Sequence, residues 1–301
     1  MHNKRVSFFE ATARTRVSTL VDSGSFTEFC PPSKRFTSPH LARLDAPVAF
    51  DDGVVVGSAT LDGQPIFIVA QEGKFNGGAV GEVHGAKIRG LLDRGAVEKP
   101  VAVLLLVDSG GVRLHEANAG LIAISEIMRA LMATQAAGVP VFALLGGSCG
   151  AFGGMGIVTR LCDEVIMSEE GRLGLSGPEV IETVKGVGEF DSRDRSLVWR
   201  VTGGKVRRAL GEATQLVDDD VAAFRVCAIA ALSRGQRSAN DLVTLKKQHA
   251  ALVQRREKHA DTVDGIEVWR QAGFAHPEGV AMLSASAFNE QLNTPVAEVK
   301  S

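Results

Sequence analysis

The chain has 301 residues, 45% of them apolar and 23% charged, and a formal net charge of −2. This describes a globular chain with a sizeable core and speaks against disorder and against a nucleic-acid binder with a broad basic face. The absence of Tyr excludes a tyrosine acid, base or nucleophile, while 33 glycines make up about 11% of the chain, above the usual ~7%.

Cys30, Cys149, Cys162 and Cys227 lie far apart without a C-x-x-C pair. Neither a zinc ribbon nor a disulfide framework is expected, and no metal site. Residues 1–16 carry charges throughout and have no apolar core, so no secretory signal is expected. The longest apolar runs, 101–107 and 139–145, fall short of the ~20 residues of a membrane span. The expectation is a cytoplasmic protein with no nucleic-acid partner and no membrane span.

In chain order, residues 7–22 have helical spacing with Phe9, Ala13, Val17 and Leu20 near one face, and Gly24 stops the helix. Residues 30–50 are rich in Pro and polar residues and are expected to be an extended connector. Two strand-like runs, 54–61 and 65–72, flank Asp62-Gly63, a hairpin turn signal. A glycine loop (73–81) leads into a helix through about Leu92. The chain then alternates: strand 101–107, turn, helix 114–137; strand 139–145, turn, helix 151–161; strand 164–168, loop, helix 178–185. Continuous apolar strands between helices mean a sheet covered on both faces. Helices are expected over 219–233 and 239–259, and a loose extension over 265–301. The organisation expected is one unit over 1–235, with an α/β core at about 45–220, followed by a C-terminal helix and extension over 236–301.

Two glycine turns carry most of the chemistry. DSGGVRLHE (108–116) and GGSCGAFGGMG (146–156) each join a buried strand to a helix, and the second holds six glycines in eleven residues. Glycine lets the backbone approach a ligand closely, and a helix N-terminus offers free N–H groups to an anion. Two such turns on neighbouring strands can converge their amides on one oxygen and make an oxyanion hole from backbone alone. The bland alternative is that these glycines only permit tight turns.

Neither G-x-x-x-x-G-K-[ST] nor a G-x-G-x-x-G between a strand and a helix is present, so no Walker or Rossmann site is expected. Gly146-Gly147-Ser148-Cys149-Gly150 fits G-x-S-x-G and would make Ser148 a hydrolase nucleophile, with Asp218–Asp220 and His249, His259 or His276 as partners. The pattern arises easily in a glycine-dense stretch, and Cys149 has no basic neighbour in sequence to activate it. His84 and His115 each follow a glycine motif and are candidates for substrate contact or acid–base work, or for structural roles at helix starts. Arg113 could hold a phosphate or carboxylate, or form a salt bridge. The basic run 246–261 reads as a solvated helix face or as a dock for an acidic carrier protein.

Four motifs in order resemble the carboxyltransferase branch of the crotonase superfamily over about 7–235. They are ARTRVSTLVDSGSFTEF, NGGAVGEVHGAKI (76–88), DSGGVRLHEANAG and LSGPEVIETV (175–184). Within that branch, AFDDGVVVG, AQEGKFNGGAVGEVHGAKI, FGGMGI and EFDSRDRSLVWRVTGGK resemble the β-subunit family of biotin-independent malonate decarboxylases. Asn76 stands where the branch commonly has Met, and Ala79 where it commonly has Ser. The resemblance implies a crotonase-like (ClpP/crotonase) α/β fold, a spiral of ββα units of the carboxyltransferase N-half type with flanking helices. It implies an enzyme, a carbon–carbon lyase active as a hetero-oligomer. Its substrate would be a malonyl thioester on an acyl carrier protein, decarboxylated through an enolate held by backbone amides.

One donor is then expected from Gly110–Gly111 and the other from Gly150-Ala151 or Gly153-Gly154. Gly77, Gly78, Ala79, Lys87, Arg113, His115 and Gly177 are the expected contacts of substrate and its CoA-derived (phosphoribosyl-dephospho-CoA) arm. The implied partners are a γ subunit supplying the second half of the site, the acyl carrier protein and its acyltransferase α subunit. No permanently bound cofactor and no biotin are implied. A β-type carboxyltransferase subunit of a biotin-dependent acyl-CoA carboxylase is the nearest alternative, and a serine hydrolase at Ser148 the more distant one.

Overall fold

A computed structural model describes residues 5–45, 48–235 and 241–293. Helix α1 (Ala13–Leu20) is shorter than its apolar spacing suggests, because Thr12 caps it by accepting the Thr15 N–H. Phe8, not Phe9, is the buried phenylalanine ahead of it. An edge strand β1 (Thr27–Phe29) follows. The expected extended connector contains a 3-10 turn and a short helix α2 (Pro39–Arg43), started by Pro39 and capped by Ser38.

Strands β2 (Val54–Leu61) and β3 (Gln64–Gln71) form the expected hairpin. Asp62 and Gly63 both have positive φ, the backbone form an Asp-Gly turn favours. Then come α3 (Glu82–Glu98), β4 (Ala102–Val107), α4 (Ala119–Ala136), β5 (Val141–Leu145), α5 (Gly154–Leu161), β6 (Glu164–Ser168) and α6 (Pro178–Lys185). The last third holds α7 (Arg195–Thr202), α8 (Gly204–Ala209), β7 (Gln215–Val217), α9 (Val221–Arg234), α10 (Leu242–Lys258), α11 (Gly265–Gln271) and α12 (Ala285–Asn293).

All seven strands form one sheet in sequence order. β1, β2 and β3 are antiparallel neighbours, and β3 through β7 run parallel. Alternate residues of the buried strands face opposite layers. Val103, Leu105, Ala143 and Leu145 join one core with residues of α3, α4 and α5. Leu104, Leu106, Phe142 and Leu144 join the other with residues of α1 and α9. This two-sided burial is why these strands read as unbroken apolar runs.

A second, smaller layer is built from the loops that leave the parallel strands. Val80 bridges Val112, Ser109 bridges Ala151, and Ala151 bridges Leu173, all in parallel. Each unit therefore runs up a sheet strand, turns through glycine, contributes one short extended rung, and enters its helix.

Residues 265–293 are not a loose extension. Trp269, Phe274, Val280 and Phe288 of this segment are buried against Val206 of α8 and Leu216 of β7. Lys205 Nζ donates to the Ala281 carbonyl at 2.6 Å, and the Asn289 amide donates to the Leu216 carbonyl at 2.9 Å. The polar composition hid this third core because its apolar residues are widely spaced. Residues 294–301 and 236–240, which include the start expected for the second C-terminal helix, lie outside the described residues.

Candidate active site

The two glycine turns lie at the C-terminal ends of β4 and β5 and meet through the rungs of the small layer. Ser109 N–H donates to the Gly150 carbonyl at 2.6 Å, and Phe152 N–H donates to the Ser109 carbonyl at 3.0 Å. A methyl group built on Gly153 would lie 3.6 Å from Gly111 Cα, while one built on Gly111 would meet no atom within 4 Å. The first turn thus faces open space beside the start of α5.

Most amides of these turns are already engaged. Gly110 N–H donates to the Gly77 carbonyl (2.9 Å), Gly150 to Gly147 (3.2 Å), Ala151 to Arg172 (2.7 Å) and Gly153 to Leu175 (2.9 Å). Gly111 N–H has only a 3.4 Å contact with Ser109 Oγ. Gly154 is the first residue of α5, a position whose N–H has no acceptor inside the helix. Gly111 and Gly154 are thus two amides at this junction with spare donor capacity.

The 77–79 loop lies against the first turn. Gly78 has φ +65°, and a Cβ there would sit 1.8 Å from the Asp108 carbonyl oxygen, so only glycine fits. Ala79 carbonyl accepts from Arg113 Nε at 2.9 Å. Gly177 starts α6 at the end of the 171–177 loop, which the second turn pairs through Ala151 and Gly153. His115 is exposed at the mouth, its Nε2 3.9 Å from Glu116 Oε1. A cleft of about 250 Å³ opens there between Phe75, Asn76, His115, Phe50 and Ser38.

The two expected cationic contacts are both buried, and Arg113 lines the same cleft. Lys87 is buried, with its ammonium on the Val54 carbonyl at 3.3 Å. Arg113 is buried and pairs with Asp51 at 2.6 Å and Glu116 at 3.0 Å. Burial alone would raise Asp51, but the Arg113 guanidinium holds it below the usual carboxylate range. Glu116 also accepts the Glu82 N–H at 2.7 Å and so caps the start of α3. His84 is fully buried and burial pushes it down to about 3, so it stays neutral. Its ring contacts the Gln71 amide at 3.0 Å and Arg113 at 3.4 Å.

Sequence reasoning missed Asp108 and Arg16. Asp108, at the end of the apolar strand β4, accepts the Cys149 N–H at 2.6 Å and pairs with Arg16 at 2.9 Å. Burial pushes this carboxyl above its usual range against the pull of Arg16. The available signal was a charge on the apolar face of α1, since Arg16 is buried alongside Ala13, Val17 and Leu20. The Ser148 carbonyl accepts from Arg172, and no described histidine hydrogen-bonds the Ser148 hydroxyl. Burial, and then Asp108, raise the Cys149 thiol, which keeps it from acting as a thiolate.

No group of three or more His, Cys, Asp or Glu among the described residues could hold a metal ion. No helix among them is long and apolar enough to cross a membrane.

The carboxyl transferase domain model matches residues 10–204. A malonyl-S-ACP:biotin-protein carboxyltransferase of Malonomonas rubra is 40% identical over 307 residues, covering 95% of each chain. A chain of a Pseudomonas malonate decarboxylase hetero-tetramer, solved in complex with malonate, is 42% identical. It superposes with a TM-score of 0.79 over 89% of this chain and 97% of that one. A putative propionyl-CoA carboxylase β chain of Bacillus subtilis is 34% identical over 58% of this chain but only 33% of its own length. The present chain thus spans about a third of that relative. The spiral of strands, rungs and helices is the carboxyltransferase fold, related to the crotonase superfamily, and the chain belongs to the carboxyl transferase domain family.

Proposed function

We infer that this chain is the β subunit of a malonate decarboxylase, a carbon–carbon lyase that takes malonyl-S-acyl carrier protein to the acetyl thioester and CO2. The full-length likeness to a malonyl-S-ACP carboxyltransferase and to a malonate decarboxylase subunit supports this reading.

The chemistry follows from the turns. Loss of CO2 leaves an enolate whose negative charge develops on the thioester oxygen, and fixed N–H donors there lower the barrier. The weakly engaged Gly111 amide, on a turn that faces open space beside the start of α5 and its first amide at Gly154, supports this assignment. Gly110, Gly150, Ala151 and Gly153 then shape the hole and spend their own amides holding the loops. Decarboxylation needs no base. The step ends with a proton delivered to the enolate carbon. The thioester arm would run past Gly77–Ala79 and His115 toward Gly177. Lys87 and Arg113 act behind it, the latter by fixing Asp51, Glu116 and the Ala79 carbonyl.

The rim is consistent with a second subunit: Leu114, Leu121, Ile122, Leu175, Val180 and Val184, on the segments that follow the turns, are each more than half exposed. A γ subunit covering it would enclose the thioester. The acyl carrier protein and its acyltransferase α subunit complete the proposed cytoplasmic assembly, with the CoA-derived arm supplied by the carrier. The name of the Malonomonas rubra relative favours a second reading, in which the carboxyl group passes to a biotin protein.

The test is reconstitution with a γ-type subunit and malonyl-S-acyl carrier protein, with and without avidin. CO2 release insensitive to avidin supports the biotin-independent lyase. Transfer of the carboxyl group to an added biotin protein, giving carboxybiotin and the acetyl thioester, selects the second reading, and no turnover of the malonyl thioester in either form refutes both.

A further inference from the structure

Asp108 is placed where three chain segments meet. Its two carboxylate oxygens are spent on different partners. Oδ1 accepts the Cys149 N–H of the second turn at 2.6 Å, and Oδ2 accepts Arg16 Nη1 of α1 at 2.9 Å. Arg16 is itself fixed: Nε donates to the Phe8 carbonyl at 2.7 Å, and the guanidinium lies 4.8 Å from the centre of the Phe8 ring. The Asp108 N–H donates to Gln71 Oε1 at 3.2 Å. Both side chains of the pair are 2% exposed. A Cβ on Gly73 would fall 2.5 Å from the carboxylate and one on Gly147 2.2 Å, so both loops can close on it only as glycine.

The next residue, Ser109, carries both rung hydrogen bonds to the second turn, and Gly111 follows two residues later. One carboxylate therefore sets the separation of the turns from below while Ser109 sets it from above. Solvent and substrate do not reach Asp108, which is 1% exposed. An ion pair kept this deep is costly to desolvate and is weak evidence for stability in itself.

We propose that Asp108, anchored by Arg16, is a positioning residue that clamps the 146–154 turn to the 108–111 turn and so sets where the Gly111 and Gly154 amides lie relative to each other. This rests on the oxyanion reading of those amides. The clamp acts through the acceptor oxygen on Cys149 N–H; the charge serves to hold that oxygen still. A displacement of even about 1 Å in such a constellation costs up to 10²-fold in rate.

The experiment compares two paired variants in the reconstituted complex. Arg16→Met with Asp108→Leu removes both charges, keeps the branched shape at residue 108 and deletes the acceptor. Arg16→Met with Asp108→Asn removes the same charges and keeps an acceptor for Cys149 N–H. The Leu pair should assemble with its partner and lower kcat about tenfold to hundredfold while KM for malonyl-S-acyl carrier protein stays within about twofold. The Asn pair should recover most of that kcat. A Leu pair with wild-type kcat overturns the proposal, as does an Asn pair no better than the Leu pair. If the Leu pair fails to fold, the Asn pair decides alone: a kcat loss beyond about tenfold at unchanged KM overturns the acceptor role, and a smaller loss supports it. Wild-type turnover in the same assay separates these outcomes from failure of the decarboxylase reading, in which the wild type releases no CO2.

Discussion

Gly154 offers a way to delete one of the proposed oxyanion donors. It is the first residue of α5, and the first helical position tolerates proline because its N–H has no intrahelical partner. Gly153 before it, at φ 57° and ψ −133°, avoids the right-handed helical region that proline forbids to its predecessor. Gly154→Pro removes the N–H. Gly154→Ala keeps it but adds the same Cβ, which meets the Ile124 side chain at 2.6 Å. The ratio of the two variants therefore removes the shared Cβ contact with Ile124 from the comparison. One backbone donor aimed at a developing oxyanion is worth about 2.7–4 kcal/mol, or 10²–10³ in kcat. The assay is CO2 release from saturating malonyl-S-acyl carrier protein by the reconstituted complex, with assembly checked by gel filtration. The proline variant should fall about 10²–10³ below the alanine variant. Equal kcat values in two assembled complexes would remove Gly154 from the oxyanion hole.

Other expectations concern stability and the neighbouring loop. Burial lifts the Glu169 carboxyl from 4.5 to about 7 against the pull of Lys205, so its stabilising protonated form is complete below the unfolded value and lost as pH rises through 7. Glu169→Gln should therefore gain about 3 kcal/mol on the wild type between pH 4.5 and 8.5 in urea denaturation, and a pH-independent difference would show the reasoning wrong. Trp269 is fully buried in the C-terminal core, so Trp269→Ala should cost about 3–5 kcal/mol; a loss under about 1 kcal/mol would mean that the segment is peripheral to the fold. Gly77 and Gly78 both have positive φ, but only at Gly78 would a Cβ strike backbone. Gly77→Ala should cost about 1–2 kcal/mol of stability with kcat nearly intact, whereas Gly78→Ala displaces the 108–111 turn and should abolish turnover; equal kcat for the two would contradict the contact.

Local chemistry made much of the fold readable. Strand 54–61, strand 164–168 and helix 178–185 match their sequence boundaries, because Asp62-Gly63, short apolar runs and Gly177-Pro178 are signals within a few residues of the element they shape. The glycine turns were legible for the same reason. Which of their amides remain unspent was not, since that depends on the carbonyls of Gly77, Arg172 and Leu175, brought in from other units. The Arg16–Asp108 pair spans 92 residues, and no local pattern announces a contact at that range. Arg113 was open in the sequence between an anion contact and a salt bridge, and its carboxylate partner Asp51 lies 62 residues away; Lys87 likewise finds its carbonyl on Val54, 33 residues away. The 265–293 segment looked loose because Trp269, Phe274 and Phe288 find their partners on α8 and β7, not on one another's turns alone.

The rung layer has a consequence for how such a catalyst can diversify. Its rungs, Val80, Val112, Ser109, Ala151 and Leu173, are held by main-chain pairing, and the proposed chemistry is delivered by peptide groups that every residue except proline carries. Point mutation can therefore redraw the exposed rim at Leu114, Leu175 or Val180, and with it the acyl group or docking partner accepted, without touching the reacting donors. Insertions and deletions are another matter. A single added residue between rungs shifts the spiral downstream, so the loop lengths, more than the side chains, are the inherited specification of the reaction.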